Sequence, residues 1–452
     1  MATPTAQKSL AKQWASTMAS AAAKPLKHLR ASDLRAAAQL ATTATSSVAR
    51  MAEGVNQAVW STLGAPSGKT AQHTRGITGL AFQSVQSITA LVGLGIDTAL
   101  AKLEPFIAST NVPANPPFDA AHDVIQPAPS QGTSNVREAV LAALNGVLGD
   151  HLAATGNALA THMTLRHGGN PLNWQAMPPK HKVTGKVLLL VHGLCMNDLQ
   201  WRTVQAAGTV NAHIVDHGAT LAAALGYTPV YVRYNTGLHT SINGRELSQQ
   251  LEQLVQFWPK RISDLTIVVH SMGGLVARSA VHTAQADNAA WLNKLKNIVF
   301  LGTPHHGALL EKAGNWVDII LGSTPYSKPF AKIAQLRSAG ITDLRYGHVV
   351  DADWVGKDRF RRQPDSRQPV PLPPGIACYT VAGTTAGQRS ALADRLVGDG
   401  LVTLPSALGQ HADAQRSLKF AKTSQRIVYR TNHMQLLGSD EVGAQLVAWL
   451  GR

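Results

Sequence analysis

Cysteine is nearly absent, acidic residues are scarce, and no long apolar run occurs. With Cys195 and Cys378 as the two cysteines in 452 residues, a disulfide framework is excluded, which suits a reducing compartment. No stretch reaches the roughly 18 uninterrupted apolar residues that a membrane-spanning helix needs. The best candidate, "ALVGLGIDTALA" at 90–101, is short and carries Asp97. No acidic residue precedes Asp33, while Lys8, Lys12, Lys24, Lys27 and Arg30 punctuate an Ala/Ser/Thr-rich stretch that loosely resembles an organelle transit peptide. It lacks the apolar core of about 7–15 residues that a secretory signal requires. Residues 1–32 therefore read as a basic, weakly ordered arm, and the expected location is the cytoplasm, with peripheral membrane association as the alternative.

The shortage of acid leaves 41 Lys and Arg against 26 Asp and Glu, a formal charge of +15, which favours anionic partners or surfaces without bearing on fold. The densest basic run, "KDRFRRQPDSR" at 357–367, is broken by Asp358 and Asp365, has one aromatic and leads into "QPVPLPPG". It reads as a solvated loop, so no nucleic-acid partner is expected. "GAPSGKT" at 64–70 ends like a phosphate loop but lacks the first glycine at the required spacing and a preceding apolar strand. Nucleotide binding is therefore discarded, and no cofactor is expected.

What is present divides the chain in two. Residues 33–170 are Ala-rich with little strand signal, and a proline-rich linker lies at 111–135. Ile77, Leu80, Ala81, Val85, Ile88, Leu91, Val92, Ile96, Leu100 and Leu103 recur at helical spacing. They predict a long amphipathic helix over 75–104 that packs on the body or on itself. Attachment of its apolar face to an anionic membrane, or to a lipid or polyester surface, is the alternative, although Ser and Thr stand where Lys or Arg would be expected. "VREAVLAALNGVLGDHL" is again helical.

From about residue 180 to 452 the texture changes. Short β-branched runs at 186–192, 229–234, 265–270, 297–302, 377–383 and 426–430 alternate with helical segments at 213–225, 244–258, 272–285 and 440–450. This alternation predicts an α/β architecture, a mostly parallel sheet covered by helices on both faces, with an N-terminal helical region added. The irregular block at 303–376 is the natural place for a lid.

The strand at 265–269 runs into His270-Ser271-Met272-Gly273-Gly274 and then a helix, the way a strand-to-helix turn presents a nucleophilic serine. Val269 stands where the G-x-S-x-G pattern has its first glycine. A serine hydroxyl needs a base, and the base needs an acid to fix its tautomer. "LVGDGLVTLPSA" places Asp399 after the strand at 377–383, and "TNHMQLL" places His433 after the strand at 426–430. Ser, Asp, His is the chain order of α/β-hydrolases. Asp394 is the rival acid but lies in the helical-looking "SALADRL", and Asp318, Asp343, Asp351 and Asp353 precede the strand that should come before the acid. His305 and His306 are adjacent, a poor geometry for one metal ion, so no metal site is expected.

"VHGLCMND", "HSMGGLVAR", "LGTPHHG", "GDGLV" and "NHMQLL" together resemble the α/β-hydrolase superfamily, and within it the lipase/esterase group that includes triacylglycerol lipases and GPI inositol-deacylase-like proteins. The resemblance covers roughly 183–452. It implies Ser271 as nucleophile, His433 as general base and then acid, and Asp399 as the residue orienting His433. Met272 N–H, at the start of the helix after the serine, is one candidate oxyanion donor. "HGLC" resembles the family's HG segment and implies Leu194 N–H as the other, with Cys195 in reserve. His192, Gly193, His270, Gly273 and Gly274 are read as supporting the turn and the loop. The implied function is hydrolysis of small-molecule or lipid esters through an acyl-serine intermediate. The alternatives are acyl transfer on the same residues, or a membrane- or granule-binding protein with an inactive hydrolase body.

Overall fold

The computed structural model describes residues 131–205, 213–308, 338–358, 365–387 and 398–452. The basic arm at 1–32, the helix at 75–104 and most of the linker at 111–135 lie outside these residues, as do the central part of the lid-like block and Asp394. The chain divides into two compact units, one formed by 138–154 with 160–452. Of the other, the described residues are 131–137 and 155–159, and there Asn157 Oδ1 accepts from Leu159 N–H at 2.9 Å.

In chain order the elements are α1 (Gln131–Ala154), β1 (Thr164–His167), β2 (Asn170–Pro171), β3 (Lys186–Val191), β4 (Arg202–Gln205), β5 (His213–Asp216), α2 (His217–Leu225), β6 (Thr228–Arg233), α3 (Thr240–Phe257) and β7 (Asp264–His270). They continue with α4 (Met272–Asp287), β8 (Leu295–Leu301), α5 (Ala339–Tyr346), β9 (Ala377–Thr384), the single turn α6 (Leu404–Ala407), β10 (Gln425–Tyr429) and α7 (Asp440–Leu450). Among the described residues, one sheet has the strand order β10-β9-β8-β7-β3-β6-β1-β2. Its neighbours from β10 to β6 are all parallel, and β1 and β2 are added antiparallel at one edge. Strands β4 and β5 form a separate antiparallel pair. Each of the six strands expected from sequence is present close to its expected bounds.

Period-two alternation sorts the sheet's side chains into two cores. Val187, Leu189, Val191, Ile267, Val269, Ile298 and Phe300 face one way, under Leu247, Leu251 and Leu254 of α3 and Val276, Ala277 and Ala280 of α4. Leu188, Leu190, Val268, Val299 and Leu301 face the other, under Leu221 of α2 and Val442, Leu446 and Trp449 of α7. A third cluster gathers Ala143 and Val147 of α1, Leu194 and Cys195 after β3, Met272 and Leu275 of α4, Ile341 and Leu344 of α5, and Leu401 and Val402. Both faces of the central strands are thus buried, which explains why β3 reads as the unbroken run KVLLLV.

Three boundaries differ from the sequence reading. Helix α1 starts at Gln131, inside the stretch assigned to the linker, because the last proline before it is Pro129 and nothing beyond breaks a helix. Residues 213–216, expected as the start of a helix, form β5, and Asp216 caps α2 by accepting from Ala219 N–H at 3.0 Å. The body also reaches back before residue 180. Leu165 of β1 is 2% exposed and pairs with Val232, while Asp198 joins β1 to β6 by accepting from Arg166 Nε at 3.0 Å and Arg233 Nε at 2.5 Å. The described parts of 303–376 belong to the body too, with Asp343 and Asp353 buried.

Among the described residues no helix is long and apolar enough to cross a membrane. Part of the basic run is spent internally, since Asp365 pairs with Arg367 at 2.6 Å and Arg416 at 3.3 Å. Because β1 is an integral strand, Leu165→Ala should lower unfolding free energy by about 2–5 kcal/mol, the usual range for a leucine truncated in a core. Urea denaturation of the full chain measures this, and a loss below about 0.5 kcal/mol would show that β1 is dispensable.

Candidate active site

Strands β3, β7, β8, β9 and β10 end at one edge of the sheet because their registers run level: Val191 opposite Val269, Val269 opposite Phe300, Leu301 opposite Val381, and Thr384 opposite Tyr429. The candidate residues lie in the turns that follow. Ser271 joins β7 to α4 with φ 54° and ψ −123°, a conformation that residues with a side chain seldom adopt. Its N–H is fixed on Leu301 O at 2.9 Å, and its carbonyl accepts from Gly274 N–H at 3.0 Å.

Glycines explain how the neighbours come so close. A Cβ on Gly273 would lie 2.6 Å from Val191 O, and one on Gly274 would lie 2.1 Å from Thr303 Oγ1. A Cβ on Gly193 would lie 2.9 Å from Ser271 Cβ, so the loop after β3 rests directly on the serine. Val269 itself is fully buried in the sheet core with Val191, Phe300 and the small Ala277.

Asp399 and His433 meet. His433 Nδ1–H donates to Asp399 Oδ2 at 2.6 Å, and His433 N–H donates to Asp399 O at 2.9 Å. Asp399 Oδ1 accepts from Leu401 N–H at 3.0 Å and Val402 N–H at 2.8 Å. The flanking glycines make this turn possible: a Cβ on Gly398 would lie 1.8 Å from Val402 O, and Gly400 has φ 98°. Both side chains are almost fully buried, so each carboxylate oxygen needs such a partner. Gly302, which follows Leu301, lies against the pair, since a Cβ there would lie 3.2 Å from both Asp399 Oδ2 and His433 Cε1.

His270, next to the serine, donates from Nε2 to His433 O at 3.1 Å, and its ring lies 4.7 Å from that of His433. Within the loop after β3, His192 Nδ1–H donates to Gly193 O at 2.9 Å, its ring stacks on Tyr234 at 4.4 Å, and Tyr234 Oη–H donates to its carbonyl at 2.8 Å. Leu194 N–H and Met272 N–H make no hydrogen bond among the described residues. Cys195 N–H is already donated to Thr236 Oγ1 at 3.1 Å, which removes it as an alternative donor.

Sequence reading missed several residues at this end of the fold. Thr236 carried no signal, since it acts only across the tertiary structure. Gly146 and Gly149 in the helical "LNGVLGD" were a usable one, because glycine inside a helix often marks close approach. Arg278 of α4 is buried and donates to Val370 O at 2.6 Å, and burial lowers its pKa to about 10. Asp343 is also buried against imidazoles, accepting from His239 Nδ1 and His348 Nδ1, each at 3.0 Å. Among the described residues neither ring nitrogen of His305 has a partner, and the ring lies beside Phe300 and Phe420, whereas His306 Nε2 lies 3.1 Å from Gly409 O. Among the described residues no group of three or more His, Cys, Asp or Glu is arranged to hold a metal.

Two predictions come from this geometry. Val269→Gly should keep at least half of the wild-type labelling by a fluorophosphonate probe, whereas Gly273→Val, forced against Val191 O, should lose it; equal labelling of the two variants would contradict the packing account. The second concerns acid. Burial lowers the pKa of His192 to about 4, and of His270 and His305 well below the ordinary value of 6.5. Between about pH 6.5 and 4 the unfolded chain binds more protons at these rings than the fold does, so stability falls as pH drops through that window. The melting temperature should decrease from pH 7 to pH 5, and His305→Phe should make the decrease shallower. A steeper decrease in that variant would exclude His305 as a contributor.

A family model described as "PGAP1-like alpha/beta domain" matches residues 182–365, less than half of the chain. The comparison with curated proteins found no match. Among solved structures, the mature lipase BlEst2 of Bacillus licheniformis is similar at 19% identity and a TM-score of 0.36, over 64% of this chain and 97% of that one. The NocB thioesterase domain, solved as a covalent complex with a fluorophosphonate nocardicin G analogue, is similar at 12% identity and a TM-score of 0.33, over 65% and 99%. An esterase of Pyrococcus furiosus, Pf2001, is similar at 13% identity and a TM-score of 0.32, over 60% and 82%. Likenesses this remote carry no weight for substrate or mechanism. By its mostly parallel strand order and the strand-to-helix turn after β7, the chain has an α/β-hydrolase fold, and over residues 182–365 it is similar to the PGAP1-like alpha/beta domain family.

Proposed function

We propose that this chain hydrolyses carboxylic esters, with Ser271 as nucleophile, His433 as general base and then acid, and Asp399 orienting His433. The observation that carries this is the buried 2.6 Å hydrogen bond between His433 Nδ1 and Asp399 Oδ2, at the same end of the sheet as a serine held at positive φ. With Nδ1–H committed to the carboxylate, Nε2 is the ring nitrogen left to accept a proton.

The reaction then proceeds in two halves. His433 takes the Ser271 hydroxyl proton as Oγ bonds to the ester carbon, and the carbonyl electrons move to oxygen. Leu194 N–H and Met272 N–H stabilise that oxyanion, a contribution worth about 3 kcal/mol per donor in such sites. The ester C–O bond breaks as His433 returns the proton to the leaving alcohol. Water, deprotonated by His433, attacks the acyl-serine, and the carboxylic acid leaves as Ser271 regains its proton. Lipid-like acyl esters are the substrate class favoured by the motif resemblance. The two unpaired thiols support a reducing, cytoplasmic setting. An acyltransferase would use the same residues with an alcohol in place of water, and product analysis with and without an alcohol acceptor separates the two.

Ser271→Ala should abolish both ester turnover and fluorophosphonate labelling. Asp399→Asn should lower kcat by about 10³–10⁴-fold with KM little changed, because the histidine loses its fixed tautomer while substrate binding is untouched. Persistent labelling in Ser271→Ala, or wild-type kcat in Asp399→Asn, would refute these assignments.

A further inference from the structure

The loop after β3 contains an unexplained strain. Cys195 has φ 58°, a left-handed conformation that residues with a Cβ rarely adopt, and it directly follows Leu194. Thiol chemistry does not account for a side chain here, because burial pushes the Cys195 pKa up to about 12. Strain of this kind persists only where the surroundings over-determine it.

Two neighbours do so. On one side, Thr236 in the turn after β6 accepts Cys195 N–H through Oγ1 at 3.1 Å. On the other, Gly146 of α1 approaches so closely that a Cβ there would lie 2.1 Å from Cys195 Sγ, 2.9 Å from its Cα and 3.0 Å from its N. Helix α1 is itself pinned. Ser338 Oγ donates to Gly146 O at 2.6 Å, Asn235 Nδ2 donates to Gly149 O at 2.9 Å, and Asn197 Nδ2, from the same loop as Cys195, donates to Glu138 O at 3.1 Å. Gly149 is as tightly seated, since a Cβ there would lie 1.8 Å from Asn235 Oδ1. Helix α1 lies upstream of the stretch that matches the family model.

On the serine-hydrolase reading above, we propose that α1 and Thr236 clamp the loop after β3 in the one conformation that keeps Leu194 N–H facing the developing oxyanion. Gly146 and Thr236 are then positioning residues of the ester-hydrolysis site, acting through Cys195 and touching no substrate. Releasing Cys195 lets its backbone relax toward negative φ, and the adjoining peptide groups swing with it. An oxyanion donor acts on charge that exists only in the transition state, so the loss appears in kcat and leaves KM in place.

The test uses the full chain, a p-nitrophenyl ester and a fluorophosphonate probe. Thr236→Val, nearly isosteric but without the hydroxyl, should lower kcat by about tenfold or more, keep KM within about twofold and slow labelling of Ser271 in proportion. Thr236→Ser, which restores an oxygen, should recover kcat to within about threefold of wild type. Gly146→Ala should follow Thr236→Val, provided thermal unfolding shows the variant folded at the assay temperature. Wild-type kcat in Thr236→Val, with Ser271 labelled at the wild-type rate, overturns the clamp and leaves the hydrolase reading intact. A parallel loss in Thr236→Val and Thr236→Ser also overturns it, since the hydroxyl would then be irrelevant. Absence of labelling at Ser271 in the wild-type chain overturns the hydrolase reading, and the clamp with it.

Discussion

The site depends on how closely the carboxyl end of β3 approaches the start of α4. Gly273 faces Val191 O and His192 O, and Gly193 faces Ser271 Cβ, at separations that admit no side chain on either glycine. That contact sets the distance between the loop after β3 and the first turn of the helix, where two backbone N–H groups make no hydrogen bond among the described residues. It does not involve Val269. Val269 points into the sheet core, between Val191 and Phe300 of the neighbouring strands, and not into the backbone contact.

Burying the Asp399–His433 pair imposes a second demand. A carboxylate with about 1% exposure is costly unless every lone-pair direction is used. The sequence GDGLV meets this with two backbone N–H groups on Oδ1, leaving Oδ2 for the imidazole. The glycines of that segment follow from the electrostatics, because only they allow the chain to curl around its own carboxylate. The neutral His270 beside His433 adds a polar contact without adding charge, since burial holds its pKa well below the ordinary imidazole value.

Much of this was legible in the sequence. β3, β7 and β8 could be read because burial on both faces makes them near-continuous apolar runs, and the candidate acid and base could be read because α/β-hydrolases place theirs after successive late strands. β1 was missed because TLRH is short and half-exposed, with no periodicity to detect. The helical reading of 213–216 failed because β5 is held by pairing with β4, a tertiary override of local preference. Thr236 could not be found either, since a threonine after a strand becomes meaningful only when its hydroxyl meets Cys195 N–H.

The sequence by itself determined the α/β alternation, the strand-turn-helix serine and the order Ser271, Asp399, His433, because these are written in hydrophobic period and in turn residues, both local properties. Only the tertiary structure decided that β1 joins the sheet, that Gly146 of α1 lies against Cys195, and that Cys195 N–H is taken while Leu194 N–H makes no bond among the described residues. Those outcomes depend on groups far apart in the chain meeting at distances below 4 Å, and no local pattern encodes such a meeting.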